Sequence, residues 1–188
     1  MNQLPPGVDI TVDPAHLANP TLAVLLDYWN AKRGARPMPA RKDIRPNELK
    51  EHLGWVNLVD VLPGGRDFRY RLIGTLVTEY FLAESTGQTV SQAFARWGSA
   101  VQSTVLQLFS ATARNRKVIY ASGAPNTLAR GFEAYESLFF PLSDDGETVN
   151  VIMNAFVFDR PDVLLARQIA KANGGKLVPR AKRLKGAA

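Results

Sequence analysis

The chain contains no cysteine. That alone excludes disulfides, thiolate nucleophiles and thiolate metal sites. Histidine is almost as scarce, with His16 and His52 the two present. A histidine metal cage or a Ser-His-Asp triad would have to use one of them, and two isolated imidazoles make no ligand spacing. Both read as surface or half-buried polar side chains. No stretch reaches the roughly 18 apolar residues of a membrane span. Met1 to Ile10 has neither the basic start nor the apolar core of a signal peptide. There is no internal repeat. Gly64-Gly65 and Gly174-Gly175 lack the spacing of a phosphate-cradling loop. Together these absences predict a cytoplasmic protein with no metal, thiol or phosphate-loop chemistry.

What is present is ordinary for one globular domain: 188 residues, 46% hydrophobic and 21% charged. A chain of this length buries about 70% of its unfolded surface, enough for a core without staples. The net charge of +6 is uneven. Residues 1 to 159 carry 15 Lys/Arg against 16 Asp/Glu, whereas residues 160 to 188 carry 8 Lys/Arg against one acid. A near-neutral body with a basic tail is the pattern of a domain with an interaction segment.

Residues 1–18 are proline-rich and aperiodic, and read as a flexible arm. Asn19-Pro20 is a helix start, with Asn as N-cap and Pro at the first helical position. Leu22, Leu25, Leu26 and Trp29 then recur at helical spacing, and Gly34 is a stop. Pro46 to Leu53 reads as a second, short helix. Two strand-like runs follow, Trp55 to Leu62 and Phe68 to Ile73, joined by the turn residues Pro63 to Asp67. In the second run Phe68, Tyr70 and Leu72 share one face and Arg69, Arg71 and Ile73 the other. Residues 74 to 116 are helical in character, with helices expected around Leu76–Phe81, Val90–Trp97 and Ala100–Arg114. Strand runs then cover Lys117–Ser122, Phe132–Leu142 and Thr148–Phe158, the last two joined at Ser143 to Glu147. Pro161 to Asn173 reads as a C-terminal helix. Residues 174–188, with five cations and no acid, read as a disordered basic tail. This order predicts an α+β fold, an antiparallel sheet with helices packed on one face.

The order resembles the PAS fold, in which two strands, a run of short helices and three further strands form a five-stranded antiparallel sheet with short helices on one face. The resemblance is carried by Tyr28-Trp29 with Arg33-Gly34, by Arg36-Pro37-Met38-Pro39 with Arg41, Asp43-Ile44 and Pro46, and by Val59-Asp60-Val61. It continues through Phe68-Arg69-Tyr70-Arg71-Leu72-Ile73-Gly74-Thr75, Thr86-Gly87, Tyr135-Glu136 and Pro141-Leu142-Ser143 with Gly146. These residues are similar to short, stand-alone bacterial PAS proteins of alpha-proteobacterial type. The PAS domain would span residues 19–160, with flanking N- and C-terminal helices. One departure is Arg45, where an acid capping the helix at Pro46 is expected.

The resemblance implies sensing or scaffolding in signal transduction and no reaction. Cysteine-linked flavin photochemistry is excluded by composition. Haem is disfavoured because neither histidine lies in the helical middle, where PAS haem ligands usually sit. Acid–base catalysis finds no convergent pair: Glu133 and Glu136 face opposite sides of a strand, and Asp144, Asp145 and Glu147 lie solvated in a turn. The chain therefore reads as a non-enzyme with no cofactor, binding a small organic ligand. The candidate ligand residues are Arg71, Tyr70, Trp97, Tyr135, Glu136 and Asn154. Arg71 has two readings. One is an ion pair with Glu136 or another acid, or exposure on the far sheet face. The other is an anchor for an anionic ligand. Asn154 stands amid an apolar strand, where a polar side chain needs a partner. Leu22, Leu25, Leu26 and Trp29 either pack on the chain's own sheet or form a homodimer interface, which PAS domains often build from such flanking helices. A downstream signalling protein is the expected partner. Lys176, Arg180, Lys182, Arg183 and Lys185 are solvated, or attract an acidic partner or anionic membrane, or bind nucleic acid through phosphates alone. A ligand-free scaffold is the alternative function.

Overall fold

The computed structural model describes residues 8–9, 17, 19–81, 84–123 and 134–159. The expected C-terminal helix at 161–173 and the basic tail at 174–188 lie outside these residues, as does His16. The first helix, α1 (Pro20–Arg33), starts and stops where its end residues dictate. Asn19 Oδ1 accepts the Thr21 amide at 2.9 Å, and Pro20 occupies a position whose amide would have no partner. Gly34 ends the helix at φ +56°, a conformation open to glycine.

Among the described residues six strands form one antiparallel sheet in the order β1-β4-β5-β6-β2-β3. They are β1 (Val8–Asp9), β2 (Val56–Val61), β3 (Phe68–Leu72), β4 (Ile119–Gly123), β5 (Ala134–Leu142) and β6 (Val151–Asp159). Between β3 and β4 lie α2 (Thr75–Phe81), α3 (Val90–Phe94) and the longer α4 (Ser99–Asn115). The hairpins β2–β3 and β5–β6 fall where the turn residues placed them, and β6 pairs with β2 to join the two halves.

Three expectations need correction. The arm at 1–18 is not wholly free: Val8 and Asp9 pair with Ala121 and Tyr120 and add a short sixth strand to the expected five. The segment Pro46–Leu53 is no continuous helix. It forms one 3-10 turn at Pro46–Glu48, and a second turn follows at Leu53–Trp55. Only Leu49 of that segment is fully buried, so no two-turn apolar face holds a helix together. The backbone also runs close to another segment there, since a Cβ on Gly74 would lie 2.3 Å from the Gly54 carbonyl oxygen.

The third correction concerns α1. Successive residues of β5 point to opposite faces. Phe139 meets Phe109 of α4 edge-to-face at 4.9 Å, whereas Phe140 meets Trp29 of α1 at 6.3 Å. The helices are therefore on both faces: α4, with its neighbour α3, covers an inner face, and α1 covers the outer one. Leu22, Leu25, Leu26 and Trp29 are all at most 5% exposed in the single chain. The Trp29 indole also donates to the Pro141 carbonyl at 3.0 Å. These four side chains are core, and a side chain already hidden from water has no apolar surface to offer a second copy. Among the described residues only Val24 and Leu72 are large apolar side chains left exposed.

The stretch that carries the resemblance at 28–46 turns out to clamp α1 onto the sheet. Arg36 pairs with Asp43 at 2.7 Å, and Asp43 also accepts the Ala40 amide at 2.9 Å. The Pro39 carbonyl accepts the Ser143 amide at the end of β5. Arg45, whose guanidinium has no acceptor with which to cap the Pro46 turn, has its own amide taken by the Tyr28 hydroxyl at 2.9 Å. That hydroxyl donates in turn to Glu48 at 2.8 Å, and Lys32 holds the same carboxylate at 2.7 Å.

Candidate functional site

The inner face of the sheet has a polar seam in an otherwise apolar core. Asn57, Asn154 and Ser137 lie side by side on β2, β6 and β5, and all three are buried. Asn57 Nδ2 donates to Asn154 Oδ1 at 3.0 Å. Asn154 Nδ2 donates to Ser137 Oγ at 2.9 Å and to the Leu138 carbonyl at 3.1 Å. Ser137 Oγ donates to the Ala155 carbonyl at 2.9 Å. At the other end Asn57 Oδ1 accepts the Gly74 amide at 3.0 Å, just before α2 begins. The seam thus runs across three strands and ends on the start of a helix. Buried polar groups cost stability unless paired, and here they are paired.

Beside the seam is an aromatic row. Phe156 pairs across from Ser137, and Tyr135 stacks on Phe156 at 5.2 Å. Phe158 follows at 4.7 Å from Phe156. Tyr135 is half-buried, and burial raises the pKa of its hydroxyl. Tyr70 is on the same inner face, edge-on to Phe109 at 6.4 Å. Burial pushes the Tyr70 hydroxyl far above the ordinary phenol value, so it stays protonated.

The six predicted ligand residues divide. Asn154, Tyr135 and Tyr70 share the inner face. Trp97 is half-buried in the short turn between α3 and α4, with the Arg96 guanidinium 5.2 Å from its ring centroid. Glu136 and Arg71 leave the set. Glu136 lies on the outer face, where its carboxylate accepts the Asn19 amide at 3.2 Å at the N-terminus of α1. Arg71 is also outward and its side chain is about half exposed. Its partner is Asp60, with Nε donating to Oδ2 at 3.2 Å and Nη2 lying 2.6 Å from Oδ1, close but off hydrogen-bond alignment. Arg71 is an ion-paired surface residue, so it cannot anchor a ligand inside. Asp145 is likewise more than a solvated acid: it accepts Ser143 Oγ, the Glu147 amide and the Thr148 amide, which hold its carboxyl well below the usual range.

Asn57 and Ser137 were missed. Asn57 sits in Trp55-Val56-Asn57-Leu58-Val59, a polar residue amid apolar ones like Asn154, and the same reasoning reaches it. Ser137 carries a weaker signal, a small hydroxyl before Leu138-Phe139-Phe140. Among the described residues no three His, Asp or Glu side chains come together as a metal site, and no helix is long and apolar enough to cross a membrane.

The sequence pattern of the PAS domain matches residues 17–156, about three quarters of the chain. The chain belongs to the PAS domain family. No curated protein matches it. Among solved structures, the PAS domain of BvgS from Bordetella pertussis is similar at 13% identity, with 64% of this chain and 88% of that one covered and a TM-score of 0.47. A transcriptional regulator described as IcIR from Alicyclobacillus acidocaldarius is more distant, at 14% identity, a TM-score of 0.32, and 69% and 62% coverage. The family assignment rests on the sequence match. Within this PAS domain, the seam and the aromatic row occupy the inner face of the sheet, the side covered by α4, while the 28–46 stretch locks α1 on the opposite side.

Proposed function

We propose that this PAS domain is a non-catalytic sensor or adaptor of bacterial signal transduction, which takes a small organic ligand on the inner face of its sheet and passes the change to a partner protein. The observation that supports it is the seam Asn57–Asn154–Ser137 beside the Tyr135–Phe156–Phe158 row. Aromatic walls with a few placed polar groups are the usual make-up of a small-molecule site. The seam also supplies a route outward. A ligand donor that takes Asn57 Oδ1 as its acceptor competes with the Gly74 amide, and so loosens the start of α2. A ligand shifts a protein only through different affinity for two states, and α2 held or released by Asn57 is such a pair. The reading needs neither haem nor a cysteine-linked flavin.

The test compares small molecules extracted from purified full-length protein and from Tyr135→Ala, with circular dichroism to check the fold. The reading expects a compound retained by the first and lost from a folded second. A compound retained equally by both would remove it from this face.

A ligand-free scaffold is the second reading, favoured by the fact that each amide and hydroxyl of the seam already has a protein partner. It predicts no dependence of partner binding on metabolites. A homodimer, in either reading, needs a surface other than Leu22, Leu25, Leu26 and Trp29.

A further inference from the structure

An open cleft of about 990 Å³ lies at the hairpin end of the molecule, on a different part of the surface from the inner-face seam. Three elements line it: the β2–β3 turn, the last turns of α4 and the β5–β6 turn. Each of the first two contributes cations, Arg66 from the hairpin and Arg114 and Arg116 from the helix, while Glu147 is the acid of the third. Arg66 and Arg114 have no ion-pair partner among the described residues. Arg116 is held by Glu147 at 3.2 Å, and the Glu147 side chain is 82% exposed. The nearby Asp144 is engaged by the Asn150 amide at 2.6 Å.

A helix end attracts cations to its exposed carbonyls, which accounts for Arg114 and Arg116 but not for Arg66 across the cleft. Arg116 also stands at φ +55°, the one non-glycine residue with positive φ among those described. That helix cap is where glycine is favoured, and an arginine there is held in a sparsely populated conformation. Arg116 lines the cleft, and the Glu147 carboxylate meets its guanidinium there. Glu147 shows that Arg116 takes a carboxylate in this cleft.

We propose that this cleft docks an acidic, Asp/Glu-rich segment of a partner protein, whose carboxylates displace Glu147 from Arg116 and reach Arg66 and Arg114. The opening is broad and polar. A small ligand wants most of its surface covered, whereas a peptide laid across exposed arginines does not. Planar guanidinium forks suit carboxylates. The site stands whether or not a ligand binds the inner face.

The probe is a fluorescein-labelled octaglutamate peptide, titrated with full-length protein by fluorescence anisotropy. Binding should weaken steeply from 50 to 300 mM NaCl. Arg66→Ala with Arg114→Ala and Arg116→Gly should weaken it by at least about tenfold, and Glu147→Gln, which removes the internal competitor, should tighten it. Arg116→Gly alone should weaken binding while its Tm stays level or rises, since glycine suits that backbone; this separates docking from folding. A second variant keeps the cleft and neutralises Lys176, Arg180, Lys182, Arg183 and Lys185 to Gln. Binding retained there supports the cleft. Binding lost there but kept in the triple arginine variant overturns it in favour of the tail. No measurable binding at 50 mM NaCl overturns it outright. Displacement by 1 mM pyrophosphate, but not by NaCl of equal ionic strength, would reassign the cleft to a small polyanion.

Discussion

Replacing Asn154 with Ala should destabilise this PAS domain more than any exposed substitution. The side chain donates to Ser137 and to the Leu138 carbonyl, and accepts from Asn57. Truncation leaves the Asn57 amide as a buried donor with no acceptor, at a cost of about 1–3 kcal/mol. Ser137 still donates to the Ala155 carbonyl, so its loss is smaller. The void adds to this, for a total of about 2–4 kcal/mol. At roughly 3 °C per kcal/mol for a domain of this size, Tm should drop by about 6–12 °C. Urea unfolding followed by the fluorescence of Trp29, Trp55 and Trp97 measures it directly. A double-mutant cycle with Asn57→Ala sharpens the test. Removing both amides removes the orphan, so the double variant should lose about 1 kcal/mol or more less than the sum of the two singles. A loss below about 0.5 kcal/mol for Asn154→Ala, or strict additivity in the cycle, would refute the seam as a buried, coupled network.

Three further outcomes follow from the same geometry. Leu25→Ala should cost about 2–5 kcal/mol in urea, as a core leucine does, whereas Arg71→Ala, breaking an exposed ion pair, should cost less than about 1 kcal/mol. Equal effects would mean that α1 is not packed as described. Gly74→Ala brings a Cβ to within 2.3 Å of the Gly54 carbonyl oxygen, so roughly 1–3 kcal/mol should be lost as the backbone shifts; an unchanged urea midpoint would deny that contact. Acid should destabilise the domain. Asp43, held down by the Ala40 amide and Arg36, and Asp67, where hydrogen bonds from Ser91 and Phe68 outweigh the upward push of burial, both have carboxyls below their ordinary values. A carboxylate with a depressed folded pKa contributes stability above its unfolded value near 4, and loses it as pH falls through the folded one. The urea midpoint should therefore be level from pH 6 to 5 and fall below about pH 4; a midpoint rising on acidification would contradict the assignment.

Local signals in the sequence reached the elements, and pairwise geometry was legible only where alternation was followed through. Asn19-Pro20 and Gly34 bounded α1 because capping is a local matter of amides and φ angles. The two hairpins were legible for the same reason. What covers the apolar stripe of α1 was not, because helical spacing reports that a face is buried and says nothing of whether its own sheet or a second copy buries it. Strand alternation already placed Arg71 opposite Tyr70. It also placed Glu136 opposite Tyr135, so the candidate ligand set was split by its own geometry before any contact was known. Asn154 was found because a polar residue in an apolar strand needs a partner, and that partner, Asn57, is 97 residues away in the chain. The added strand at Val8–Asp9 had no signal, since two residues carry no periodicity.

The central claim is that the inner face, with its Asn57–Asn154–Ser137 seam and stacked aromatics, receives a small molecule. Native mass spectrometry of freshly purified full-length protein, run beside a denatured sample, tests it most directly. The account predicts a non-covalent mass of a small organic compound that disappears on denaturation. A bare polypeptide mass in the native run, from cells grown in rich and in minimal medium alike, would contradict it and leave the scaffold.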